Sequence, residues 1–144
     1  MFRLALLTLA WEGVWWANRK ANRDHLYAEA KAAARRLGKP LVVIGAPDRG
    51  ATEGPGYDAD LVIDIGPSAL PQAIVADICK KTPLASNSCV VFVSCVLEYV
   101  SDYNAAMREI KRISGEHYYI CRVEPWTLTA YLYPGAKRTI PSMG

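Results

Sequence analysis

AIVADICKKTPLASNSCVVFVSCVLEYVSDYNAAMREIKRI, residues 73–113, holds two hydrophobic patterns in a fixed order. Val90, Val91, Phe92 and Val93 form an unbroken apolar, β-branched run with no alternation, as a strand covered on both faces requires. Ten residues later Tyr103, Ala106, Met107, Ile110 and Ile113 recur at helical spacing, with Ser101 as the expected cap and Ser114-Gly115 as the stop. Upstream, residues 73–76 read as a short strand that ends at Asp77. Pro83 and Asn87-Ser88 then supply the turn signals before residue 90.

Working outward, the same grammar repeats. Residues 41–44 (LVVI) and 61–65 (LVIDI) are short apolar runs closed by Gly45 and by Gly66-Pro67, and residues 118–123 form a last run before Pro125. Residues 46–60 are rich in Gly, Pro and Asp and read as a loop. Before the first strand, Leu26, Ala30, Ala33, Ala34 and Leu37 mark a helix over residues 22–37 that Gly38 and Pro40 stop. Strands without alternation, spaced by helices and loops, predict a mostly parallel, Rossmann-like α/β sheet with helices on both faces. At 144 residues and 51% hydrophobic content, the chain is sized for one such core. The expected organisation is a helical leading segment, residues 1–38, followed by an α/β domain, residues 39–144.

The leading segment is apolar through residues 2–17, interrupted by Glu12 and Gly13, and runs through Trp15 and Trp16 to Arg19 and Lys20. Trp15 and Trp16 fill the place where a signal peptide would carry small residues. The run is shorter than the roughly 20 apolar residues of a spanning helix. Two readings stand: a helix packed on protein, in an assembly, or a helix lying on a membrane surface, where tryptophans beside basic residues belong. Residues 1–40 carry eight Lys/Arg against three Asp/Glu. With no recognisable nucleic-acid motif, that charge reads as a solvated helix face. Cys79, Cys89, Cys95 and Cys121 form no CxxC pair, and His25 and His117 lie far from any two of them, so no metal site is expected. Reduced, structural thiols in a cytoplasmic protein, membrane-associated through residues 2–17 in the second reading, are the expectation.

Residues 73–113 resemble the second half of class I S-adenosylmethionine-dependent methyltransferases. The matching features, in order, are Ala76-Asp77, Pro83-Leu84, Asn87-Ser88, the strand 90–93, the segment Val96-Leu97-Glu98-Tyr99-Val100, Asp102, and the helix segment Met107-Arg108-Glu109-Ile110-Lys111-Arg112-Ile113. The resemblance implies a cofactor, S-adenosylmethionine, bound beyond the carboxyl ends of the strands. It implies that Asp77 accepts from the adenine amino group and that Asp64 binds the ribose hydroxyls. Glu98 and Tyr99 stand in the family's loop-shaping Glu-His position and are assigned no catalytic role. Gly45, Asp48, Asp64, Asp77 and Ser94 form the expected cofactor-binding set. Ordinary roles compete: Asp77 as a turn cap and Asp64 as part of the turn at Gly66-Pro67.

The chain departs from the family in its first loop, which there reads acidic-x-Gly-x-Gly-x-Gly. Here Val43 replaces the acid, and Pro47 and Arg49 stand where glycines belong. Proline removes an amide donor, and an arginine side chain fills space that the ligand needs. About twenty residues follow Val123, in which Trp126, Leu128, Tyr131, Leu132 and Tyr133 read as packing surface. Two functions follow. One is a methyltransferase for a small-molecule or protein acceptor, since transfer needs chiefly an oriented nucleophile. The other is a non-catalytic module, a pseudoenzyme that keeps the fold and joins an assembly or membrane through its apolar termini.

Overall fold

The computed structural model describes residues 2–49 and 54–121, leaving aside the side chains of Phe2, Glu12, Trp15 and Trp16. The expected packing surface at Trp126–Tyr133 and the last two residues of the 118–123 run lie outside the described residues.

Five strands form one all-parallel sheet: β1 (Leu41–Ile44), β2 (Leu61–Asp64), β3 (Ala73–Val75), β4 (Val90–Ser94) and β5 (Tyr118–Cys121), in the order β3-β2-β1-β4-β5. This is the order of the first five strands of a doubly wound, Rossmann-like sheet. The registers place Val43 beside Val62 and Phe92, and Ser94 beside Cys121. All five carboxyl ends therefore reach the same edge.

The absence of alternation is explained by burial on both faces. Val43, Val62, Val90 and Phe92 pack to one side with Tyr27, Ala30, Ala33 and Ala34 of α1 (Phe2–Leu37). Val42, Ile44, Ile63, Val91 and Val93 pack to the other with Ala106, Ile110 and Ile113 of α2 (Tyr103–Ser114). One helix thus covers each face. The three alanines bring α1 close enough for Tyr27 to meet Phe92 edge to face, with ring centroids 5.2 Å apart. Each large side chain buried this way contributes about 1.5–3 kcal/mol of transfer free energy.

Two helix boundaries differ from the sequence reading. Asp102, rather than Ser101, is the N-cap of α2, accepting from the Ala105 N–H at 3.0 Å. At the other end Gly115 takes a left-handed conformation and donates to the Lys111 carbonyl at 2.8 Å, as the sequence implied. The second difference is larger. The helix expected over 22–37 is continuous with the apolar segment, giving 36 residues, about 54 Å at 1.5 Å per residue. Its second half belongs to the core, whereas Leu4, Leu6, Leu7, Leu9, Trp11 and Val14 of its first half are all more than half exposed. No helix among the described residues is long and apolar enough to cross a membrane.

Candidate functional site

The carboxyl edge of the sheet is where β1, β2 and β3 end in Gly45, Asp64 and Ala76-Asp77, and where the loop after β4 folds back over them. Gly45 has φ +98°, and a Cβ there would stand 2.5 Å from Val96 Cγ2 and 3.0 Å from the Ser94 carbonyl oxygen. Only glycine lets the end of β1 and the loop after β4 approach so closely. Between them lies a cleft of about 180 Å³ on the α2 face, lined mainly by Ile44, Ile63, Ile65, Ile78, Val96 and Tyr99, with Asp64 and Asp77 also in its lining. Pockets for drug-sized ligands run to about 300–1,000 Å³, so this cleft is large enough for only part of such a ligand. Ile65, 72% exposed, stands at its mouth and offers an apolar surface there.

Asp64 and Asp77 differ in what they already hold. Asp64 Oδ2 accepts from the Ala46 N–H at 2.9 Å, while Oδ1 accepts from the Gly66 N–H at 3.2 Å and from Arg49 Nη1 at 2.5 Å. The Arg49 guanidinium also covers Gly66, where an added Cβ would meet it at 2.4 Å. Asp77 Oδ1 accepts from the Cys79 N–H at 2.9 Å, closing a turn after β3 as its cap role predicts. No donor among the described residues meets its Oδ2.

The expected cofactor-binding set is brought together only in part. Gly45, Asp64 and Asp77 line the cleft. Asp48 does not; it is exposed and ties the loop after β1 to the one before β3, accepting from Ser68 Oγ at 2.7 Å and the Ala69 N–H at 2.9 Å. The Ser68 hydrogen bond, with that of Ala69, holds the Asp48 carboxyl below the usual carboxylate range. Ser94 shares the parity of Val90 and Phe92, so its side chain lies toward α1, near Gly54, on the opposite face from the cleft. Ile65, Cys79, Tyr99 and Ser101 are lining residues that the sequence reading missed. Their signal was positional: Ile65 directly follows β2, Cys79 lies in the turn after β3, and Tyr99 and Ser101 sit in the loop after β4.

The surrounding polar groups serve the scaffold. Glu98 is buried in the loop after β4. Glu109 of α2 accepts from the Thr82 N–H and Oγ1, both at 2.8 Å, and from Arg112, anchoring the 82–86 segment to the helix. At the opposite end of the sheet Tyr27 donates to Asp58, which also pairs with Lys31. Burial, then Asp58 itself, pushes the Tyr27 hydroxyl above its ordinary range. Among the described residues no cluster of three His, Cys, Asp or Glu side chains could hold a metal ion. No protein-family model, curated protein or solved structure matches this chain.

Proposed function

We propose that this chain is a methyltransferase-like protein that binds S-adenosylmethionine, with the adenine in the cleft at the carboxyl ends of β1, β2 and β3. The observation that carries the reading is a small, mainly apolar cleft lined in part by Asp77, whose Oδ2 meets no donor among the described residues. An exocyclic amine donates to such a carboxylate, and Ile65 and Val96 offer the apolar faces that an aromatic ring needs. The resemblance of residues 73–113 to class I methyltransferases supports the same ligand. Bound there, S-adenosylmethionine would supply an electrophilic methyl group, while the chain's own residues hold and orient the adenosyl end.

The fit is partial at the ribose. Asp64 must exchange Arg49 for sugar hydroxyls, so binding and the Arg49–Asp64 contact compete. Titration calorimetry with S-adenosylmethionine and S-adenosylhomocysteine tests the reading directly. Micromolar binding that Asp77→Ala abolishes supports it. Absence of heat from folded protein at high ligand concentration sinks it and leaves the non-catalytic module.

A second reading concerns residues 2–17 and does not depend on the first. Leu4, Leu7, Trp11 and Val14 share one side of α1, while Leu6 and Leu9 lie on the other, and all six are exposed. One partner helix would cover a single seam and leave the rest in water. Lipid covers every side, and exposed Arg3 and Lys20 stand at either end of the apolar stretch to meet anionic headgroups. We infer a lipid-inserting helix that anchors the domain to an anionic membrane surface. Its residues span about 24 Å, short of the roughly 30 Å hydrocarbon core. Full-length protein should float with phosphatidylcholine vesicles containing phosphatidylserine, and Leu6→Glu with Leu9→Glu should abolish flotation. Concentration-dependent dimers without flotation would assign the segment to self-association instead.

A further inference from the structure

Cys95 and Cys121, separated by 26 positions in sequence, are brought together by the pairing of β4 with β5. Cys95 directly follows β4, and its N–H donates to the Cys121 carbonyl at 3.0 Å. The two Sγ atoms lie 3.7 Å apart. On the α1 side Arg19 donates its Nη2 to Cys95 Sγ. Cys95 is partly exposed and Cys121 is buried, and Cys95 has left-handed backbone geometry, φ +51°.

We propose that Cys95 and Cys121 are a redox-active dithiol, in which Cys95 is the thiol attacked first by a hydroperoxide and Cys121 resolves it into an intramolecular disulfide. The Cys95 thiolate attacks the nearer peroxide oxygen; the O–O bond breaks and the leaving alkoxide or hydroxide takes up a proton. Cys95 is thereby oxidised to a sulfenic acid and the peroxide is reduced to an alcohol or water. Cys121 then attacks the Cys95 sulfur, the S–O bond breaks, and water leaves with the Cys121 proton.

The site has the parts that this chemistry needs. A nucleophilic thiol requires stabilisation of its anion, and here the Cys121 S–H and then the Arg19 guanidinium hold the Cys95 thiol below its ordinary range. The same contact, with burial, pushes the Cys121 thiol up, which keeps it protonated until it is needed. Among the described residues the charged groups facing the pair are Arg19 and Arg23 from α1 and Glu98 from the loop after β4, two cations to one anion. Closing the bond requires the sulfurs to move from 3.7 Å to about 2.05 Å, within the reach of side-chain rotation between adjacent strands. Neither Cys79 nor Cys89 has a second thiol beside it among the described residues.

The test uses the reduced, full-length protein treated with hydrogen peroxide and read by intact mass and peptide mapping. The expected result is loss of two hydrogens with a Cys95–Cys121 cross-link, while Cys79 and Cys89 remain alkylatable. Cys121→Ser should stop at a Cys95 sulfenic acid that dimedone traps, and Cys95→Ser should show neither product. Arg19→Gln should slow Cys95 alkylation by iodoacetamide severalfold at neutral pH and move its pH midpoint upward. Preferential oxidation of Cys79, or no cross-link in folded protein, overturns the proposal. An unchanged alkylation profile in Arg19→Gln overturns the part assigned to Arg19.

Discussion

Arg49 Nη1 lies 2.5 Å from Oδ1 of the cleft-lining Asp64, joining the loop after β1 to the end of β2. The Arg49 side chain is 38% exposed, so water screens the pair. Exposed ion pairs contribute about 0.2–1 kcal/mol, small enough for a ligand to displace.

Arg49→Ala should therefore tighten S-adenosylmethionine binding by up to about fivefold, the equivalent of that ion pair in affinity. Titration calorimetry of the variant beside the parent measures it. Weaker binding would show instead that Arg49 contributes to holding the ligand.

Gly45→Ala should lower stability by about 1–3 kcal/mol, since the added Cβ meets Val96 Cγ2 at 2.5 Å in a backbone conformation that alanine resists. Gly13→Ala is the contrasting case: it lies within α1 with nothing inside 4 Å of the added Cβ, and should gain about 0.5–1 kcal/mol. Thermal unfolding followed by circular dichroism should move in opposite directions for the two.

The start of α2 offers a test of capping. Asp102→Ala should cost about 1 kcal/mol by leaving the Ala105 N–H without its acceptor, whereas Ser101→Ala should fall within about 0.5 kcal/mol of the parent. Urea unfolding of both variants decides between them, and an equal loss in each would reassign the cap.

Glu109 sets an acid limit on stability. The Arg112 hydrogen bonds, aided by those from Thr82, pull its carboxyl from an ordinary 4.5 down to about 2. A depressed carboxyl stabilises the fold fully above its unfolded value and loses that contribution as pH falls through the folded value. Stability should thus decline between about pH 4.5 and pH 2, with this group contributing on the order of 3 kcal/mol. Glu109→Gln should flatten that limb in urea titrations across the same range; an unaltered slope would place the acid sensitivity elsewhere.

Much of this architecture was legible in the chain because it rests on local pattern. Residues 41–44 and 90–93 lack alternation, and a strand buried on both faces has no reason to alternate. Ala106, Ile110 and Ile113 repeat with the helical period, and they are the residues of α2 that reach the core. That Gly45, Asp64 and Asp77 share one edge was legible as well, since parallel strands end together and each of the three stands at or just past a strand end. Ser94 was misassigned to the cleft because the side-chain period of two sends it to the α1 face.

The sequence alone therefore determined the strands, the second helix and the parallel class of the sheet, because short-range periodicity encodes which faces are buried. Tertiary structure decided the strand order, the continuity of α1 through Gly13, the closure of Asp64 by Arg49 and the meeting of Cys95 with Cys121. These depend on which strands become neighbours and on how one helix lies across them. Such contacts are fixed by the packing of the whole core, and no local spacing records them.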